Sequence, residues 1–67
     1  MRVYTLTQVG KAVATGQGNG EEMDVLRYMY ANKRHPITDD ELIVRNPNAK
    51  FILSTMVKRN LVQELSS

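Results

Sequence analysis

The residues best suited to contact a partner lie on one side of a helix predicted over residues 47–59. At 100° per residue, five side chains point away from the apolar stripe of this helix: Lys50, Phe51, Ser54, Thr55 and Lys58. Ammonium groups attract phosphates, and hydroxyls hydrogen-bond to phosphate oxygens or base edges. This combination favours contact with nucleic acid, although two lysines on a helix are also an ordinary solvent-facing surface.

The opposite side of the same helix is apolar and should anchor it in a core. Its members are Ala49, Ile52, Leu53, Met56 and Val57. Asn46 or Asn48 can cap the start of the helix, and Pro47 suits its first turn. Asn60 suits the left-handed position that often follows a helix end.

The remaining polar residues do not form a pattern expected of an enzyme. The chain has no cysteine and one histidine, His35, which argues against a zinc site. Asp39 and Asp40 are adjacent, so they fit a helix start better than a facing acid–base pair. Ser54 has no base near it in the sequence. We therefore expect no catalytic residue, no metal and no cofactor.

Length and charge distribution limit the other classes of function. Sixty-seven residues allow one small domain, expected to span 1–67. Residues 42–67 have four bases and one acid, whereas residues 21–41 have three bases and six acids. Many of these charges also match the helix macrodipole. No apolar run reaches the roughly 18 residues of a membrane span and no signal peptide is visible, so we expect a cytoplasmic protein without a membrane partner.

The rest of the sequence predicts the elements that position this helix. Residues 2–6 alternate as a strand, with Val3 and Thr5 on one side and Tyr4 and Leu6 on the other. A second strand is predicted over 61–65, and further helices over 8–14, 21–33 and 38–45. Thr7 caps the first of these helices, whose apolar side would be Val9, Ala12 and Val13. Thr38 and Glu41 fit a capping box.

The order of the elements and several short motifs resemble the winged helix-turn-helix superfamily. A tight turn joins helices 38–45 and 47–59, as in a helix-turn-helix. The matching residues are Thr38 and Glu41–Leu42, then Lys58–Arg59–Asn60–Leu61–Val62, and Tyr4, Leu6, Thr7 and Gly10 of a wing strand. The wing-strand motif normally follows the recognition helix, but here it lies at the start of the chain. We therefore predict a mainly α, α+β fold with a two-stranded antiparallel sheet, in which strand 2–6 pairs with strand 61–65 and no wing loop is present.

The resemblance implies a small protein that binds double-stranded DNA, as a transcriptional regulator or accessory factor. Helix 47–59 would enter the major groove, and the expected contacts are Arg45, Asn48, Lys50, Ser54, Thr55, Lys58 and Arg59. Few cations are present, so a homodimer is expected. The alternative is a protein-interaction or assembly module with the same fold, using Tyr28 and Phe51. An exposed Phe51 would favour a protein interface as much as DNA, whereas a Phe51 covered by the amino-terminal elements would partly block the recognition face and weaken the DNA-binding hypothesis.

Overall fold

The computed structural model describes residues 2–65, which form a mixed α+β fold. Its elements are β1 (Val3–Leu6), α1 (Gln8–Ala14), α2 (Glu21–Ala31), β2 (Ile37–Thr38), α3 (Asp39–Arg45), α4 (Ala49–Lys58) and β3 (Val62–Leu65). The four helices of this described part correspond to the four predicted ones, with ends that agree within two residues. None of the helices within residues 2–65 has both the length and the apolar character needed to cross a membrane.

The sheet of the described residues has three strands in the order β2-β1-β3, all antiparallel. The predicted pairing of the first and last strands is confirmed, with Tyr4 opposite Glu64 and Leu6 opposite Val62. The prediction of only two strands is wrong, because Ile37–Thr38 pairs with the other edge of β1. Pro36 keeps the chain extended before this segment, and Thr38 has the extended backbone of a helix N-cap. Both conditions keep β2 extended, as pairing with β1 requires.

An apolar core joins the sheet to the helices. Its largest fully buried side chains are Leu26, Met29, Ile37, Leu42, Leu53, Met56 and Val62. The predicted stripe of α4 is buried at Ala49, Ile52, Leu53 and Met56. Val57 is an exception, because it lies at the edge of the stripe and is 40% exposed. The alternation predicted for β1 is confirmed by the burial of Tyr4 and Leu6.

Helix α1 packs mainly through small residues, and of the apolar side predicted for it only Val13 lies against the core. Its buried residues are Gly10 and Ala14, whereas Val9 is 47% exposed. A Cβ atom at Gly10 would lie 1.9 Å from the carbonyl oxygen of Leu61. The Thr7 hydroxyl accepts a hydrogen bond from the Gly10 N–H (3.0 Å) and donates one to the carbonyl of Asn60 (2.6 Å). Thr7 and Gly10 therefore join the end of β1 to the segment between α4 and β3.

The turn between α3 and α4 is held by an asparagine side chain. The side-chain oxygen of Asn46 accepts a hydrogen bond from the backbone N–H of Asn48 (2.9 Å). Asn48 is the N-cap residue but makes no side-chain capping bond. Pro47 consequently lies in the turn, and α4 begins at Ala49, later than predicted.

The other predicted helix ends are partly confirmed. The Thr38 hydroxyl accepts a hydrogen bond from the N–H of Glu41 (3.1 Å), as in a capping box. The Glu41 side chain does not complete the box, because its carboxylate accepts a hydrogen bond from the Tyr28 hydroxyl. Asn60 has the predicted left-handed conformation, with φ of 61°.

Candidate nucleic-acid interface

Most of the outer face of α4 is exposed. Lys50, Phe51, Ser54 and Lys58 are exposed, and Thr55 is half-buried. Phe51 is 76% exposed, so the amino-terminal elements do not cover it. The Thr55 hydroxyl donates a hydrogen bond to the carbonyl of Phe51 (3.2 Å), which uses its proton within the helix. The groups that α4 exposes to a partner are therefore Lys50, Phe51, Ser54 and Lys58.

One flank of α4 faces the acidic start of α2. The Arg59 guanidinium pairs with the Glu22 carboxylate, with Nη1 and Oε1 2.5 Å apart. The Asn48 amide nitrogen lies 3.5 Å from both carboxylate oxygens of Glu21. Two of the predicted DNA contacts are thus engaged by carboxylates, which would repel a phosphate approaching on this side.

Arg45 and Tyr28 contact each other away from α4. The Arg45 guanidinium lies 4.2 Å from the centroid of the Tyr28 ring, a cation–π geometry. The hydrogen bond from the Tyr28 hydroxyl to Glu41, together with desolvation of the hydroxyl, raises the pKa of Tyr28. Tyr28 is half-buried, and both its ring and its hydroxyl have partners within the chain. This arrangement orients Arg45 against the Tyr28 ring, and both residues line a second surface cleft.

The opposite flank of α4 borders a cleft of about 430 Å³ beneath one end of the sheet. Tyr4 and Glu64 are direct cross-strand partners, and Arg2 precedes Tyr4 by two residues, so all three point to the same face of the sheet. The lining residues are Arg2, Tyr4, Asp39, Lys50, Ser54, Val57, Lys58 and Glu64. The cleft thus combines three cations, two hydroxyls and two carboxylates.

The two carboxylates of the cleft differ in their surroundings. Asp39 is 8% exposed, and its Oδ1 accepts hydrogen bonds from the N–H groups of Asp40 (2.8 Å) and Arg2 (3.4 Å). Glu64 is exposed, with its Oε2 3.9 Å from Nε of Arg2. A side-chain hydrogen-bond interaction with Tyr4, followed by attraction to Glu64, raises the pKa of Arg2. Arg2 is thus a cation that lines the cleft and has a carboxylate beside it.

The structure divides six of the seven predicted DNA contacts among three places, while the hydroxyl of the seventh, Thr55, is bonded within α4. Lys50, Ser54 and Lys58 come together beside the cleft, Asn48 and Arg59 lie on the α2 flank, and Arg45 lies against Tyr28. Arg2, Tyr4 and Glu64 were not among the predicted site residues. Their position follows from the antiparallel pairing of strands 2–6 and 61–65, so the sequence did contain the signal. Within residues 2–65 no group of three potential ligands could hold a metal ion.

The chain matches no protein-family model, no curated protein and no solved structure. Its function is therefore inferred from the geometry of α4 and the adjoining cleft.

Proposed function

We propose that the chain is a winged-helix-like module that binds double-stranded DNA by placing α4 in the major groove. The observation that carries this proposal is the two-sided character of α4. Its inner side is buried at Ala49, Leu53 and Met56, and its outer side exposes Lys50 and Lys58. The short turn after α3 leaves that outer side unobstructed.

The spacing along α4 supports this role. Lys50, Ser54 and Lys58 are four residues apart, so they form a row with steps of about 6 Å. The major groove is about 12 Å wide and admits a helix. The two lysines at the ends of the row can contact phosphates, while Ser54 between them can hydrogen-bond to a base edge or a phosphate.

The small number of available cations predicts weak binding by one copy. Arg59 is paired with Glu22 and Arg45 is stacked on Tyr28. Each phosphate that is neutralised contributes about −0.9 to the slope of log K against log salt concentration. A homodimer that presents two copies of α4 would double the number of neutralised phosphates, and with it the salt slope, and would span two half-sites.

A salt titration of fluorescence anisotropy with a short labelled duplex tests the proposal. The Lys50→Gln/Lys58→Gln variant should lower affinity and reduce the salt slope by about 1.8 per chain. The control is Lys33→Gln/Arg34→Gln, which removes the same charge beyond the carboxyl end of α2 and should bind as the wild type does. Absence of binding at low ionic strength, or equal losses in both variants, would contradict recognition by α4.

A second candidate function, a protein-interaction module, is favoured by the exposed apolar side chains. Phe51 is 76% exposed and Val44 on α3 is 86% exposed. Contiguous exposed apolar patches mark partner surfaces, and this candidate requires that Phe51 belong to such a patch. Sedimentation velocity distinguishes this candidate: Phe51→Ala should abolish self-association, and Val9→Ala on α1 is the control. If Phe51→Ala dissociates an oligomer and the lysine variants leave DNA affinity unchanged, the protein-interaction function replaces the DNA-binding one.

A further inference from the structure

We infer that the cleft between α4 and the Arg2 end of the sheet is a second DNA contact that holds one backbone phosphate. The inference rests on the proposed DNA binding and extends it from the helix to the sheet. Arg2 would supply the main cation, with Lys50 or Lys58 on the other wall.

The inner face of the sheet is apolar at one end and polar at the other, and the polar end lines the cleft. Leu6 and Val62 are paired and buried in the core. The next inward pair is Tyr4 and Glu64, and Arg2 follows beyond Tyr4. The strands therefore extend past the apolar core and place their polar end beside the lysine-bearing flank of α4. A backbone that follows this flank would pass between the two sets of cations.

The donors of the cleft match the chemistry of a phosphodiester. The guanidinium of Arg2 can donate two parallel hydrogen bonds to the non-bridging oxygens. The lysines add positive charge, and the hydroxyls of Tyr4 and Ser54 line the same cleft as neutral donors. The cleft volume of about 430 Å³ is in the range of small-molecule pockets, about 300–1,000 Å³, so it is large enough to admit one backbone phosphate.

The two carboxylates do not have equal effects on such a phosphate. Asp39 accepts backbone hydrogen bonds at the start of α3, where the helix dipole favours its negative charge. Within residues 2–65, the one side-chain contact of Glu64 is the long one with Arg2, and both side chains are partly exposed (42% for Glu64 and 69% for Arg2). Glu64 is thus the group that a phosphate would displace from Arg2. Removing either member of this pair should change DNA affinity, in opposite directions.

The decisive experiment measures DNA affinity of Arg2→Gln and Glu64→Gln in the full chain by salt-dependent anisotropy with the same duplex. Arg2→Gln should weaken binding about tenfold at low salt and lower the salt slope by about 0.9. Glu64→Gln should strengthen binding several-fold. Arg34→Gln and Asp24→Asn are controls with the same charge changes outside the cleft. Because an exposed ion pair contributes little to stability, both cleft variants should retain the wild-type circular dichroism.

The outcomes separate this inference from the proposed function. If the wild type binds and Lys50→Gln/Lys58→Gln does not, but Arg2→Gln and Glu64→Gln match the wild type, the cleft contact is overturned and recognition by α4 stands. A loss of affinity in Glu64→Gln, or a change in only one of the two cleft variants, also overturns it. If the wild type shows no binding, both ideas are overturned.

Discussion

Replacing Gly10 by alanine should destabilise the protein, although alanine is the better helix former. A Cβ atom at Gly10 would lie 1.9 Å from the carbonyl oxygen of Leu61, 2.9 Å from its carbonyl carbon and 3.1 Å from Cδ2 of Leu6. The closest neighbour is backbone, so it cannot move aside as the tip of a flexible side chain could. To restore an ordinary contact, α1 and the Leu61 segment must separate by more than about 1 Å.

The cost can be estimated from the contacts that this separation disturbs. Overpacking a close contact typically costs about 1–3 kcal/mol. The movement also strains the bonds from the N–H of Thr7 to Leu61 (3.1 Å) and from its hydroxyl to Asn60 (2.6 Å), each worth about 1 kcal/mol. The higher helix propensity of alanine returns about 1 kcal/mol. We expect a net loss of about 1–3 kcal/mol, out of a total stability of about 3–10 kcal/mol for a chain of this length.

Urea unfolding followed by circular dichroism measures this loss. The control is Ala12→Gly, an exposed position of the same helix, which should lose about 1 kcal/mol through propensity alone. A Gly10→Ala protein that is as stable as the wild type, or more stable, would refute the close approach of α1 to Leu61. That result would be conclusive if Ala12→Gly showed its expected loss in the same assay, because the assay would then have resolved a loss of this size.

Three further substitutions test individual contacts. Glu22→Gln frees Arg59 and should raise DNA affinity in the anisotropy titration; unchanged affinity would show that Arg59 does not reach DNA. The pKa of Tyr28 is raised from 10.0, first by the hydrogen bond to Glu41. The protonated hydroxyl therefore stabilises the fold below pH 10.0, and this stabilisation is lost as the pH rises through the pKa of Tyr28 in the folded protein. Urea midpoints should therefore fall more steeply above pH 10.0 for the wild type than for Tyr28→Phe, and parallel profiles would contradict this. Thr38→Ala removes the cap of α3 and should cost about 1 kcal/mol, which Thr38→Ser should largely restore; an equal loss in both variants would exclude the hydroxyl as the cause.

The helices and the principal strand pair could be predicted because each carries a strong local signal. The apolar period of α4 identifies Leu53 and Met56 as core residues. Strands 2–6 and 61–65 each lack a local partner, which favours pairing them with each other. β2 could not be recognised in the same way, because two residues are too few to alternate and Thr38 already had a role as a cap. An N-cap residue has an extended backbone, so one residue serves both roles.

The exposed face of α4 could be predicted, but most contacts between elements could not. The pairing of Arg59 with Glu22 depends on how the start of α2 approaches the end of α4. The burial of Gly10 depends on a backbone contact with Leu61, which no side-chain pattern reveals. A helical wheel treats glycine as neutral and therefore favoured the larger Val9, which the structure leaves 47% exposed. Apolar periodicity thus predicts the buried face of a helix when side-chain packing determines it. It does not predict that face when a close backbone contact determines it.

The two candidate functions compete for one surface, because Phe51 and Lys58 lie about 20° apart on the wheel of α4. A partner that covers Phe51 would also cover Lys58 and exclude DNA from the same copy. A homodimer that binds DNA through α4 must therefore form through another surface. The edge position of β3 in the order β2-β1-β3 is suited to this, because an edge strand can pair with a strand of another chain. Self-association that survives Phe51→Ala would thus agree with DNA binding, whereas self-association through Phe51 would oppose it.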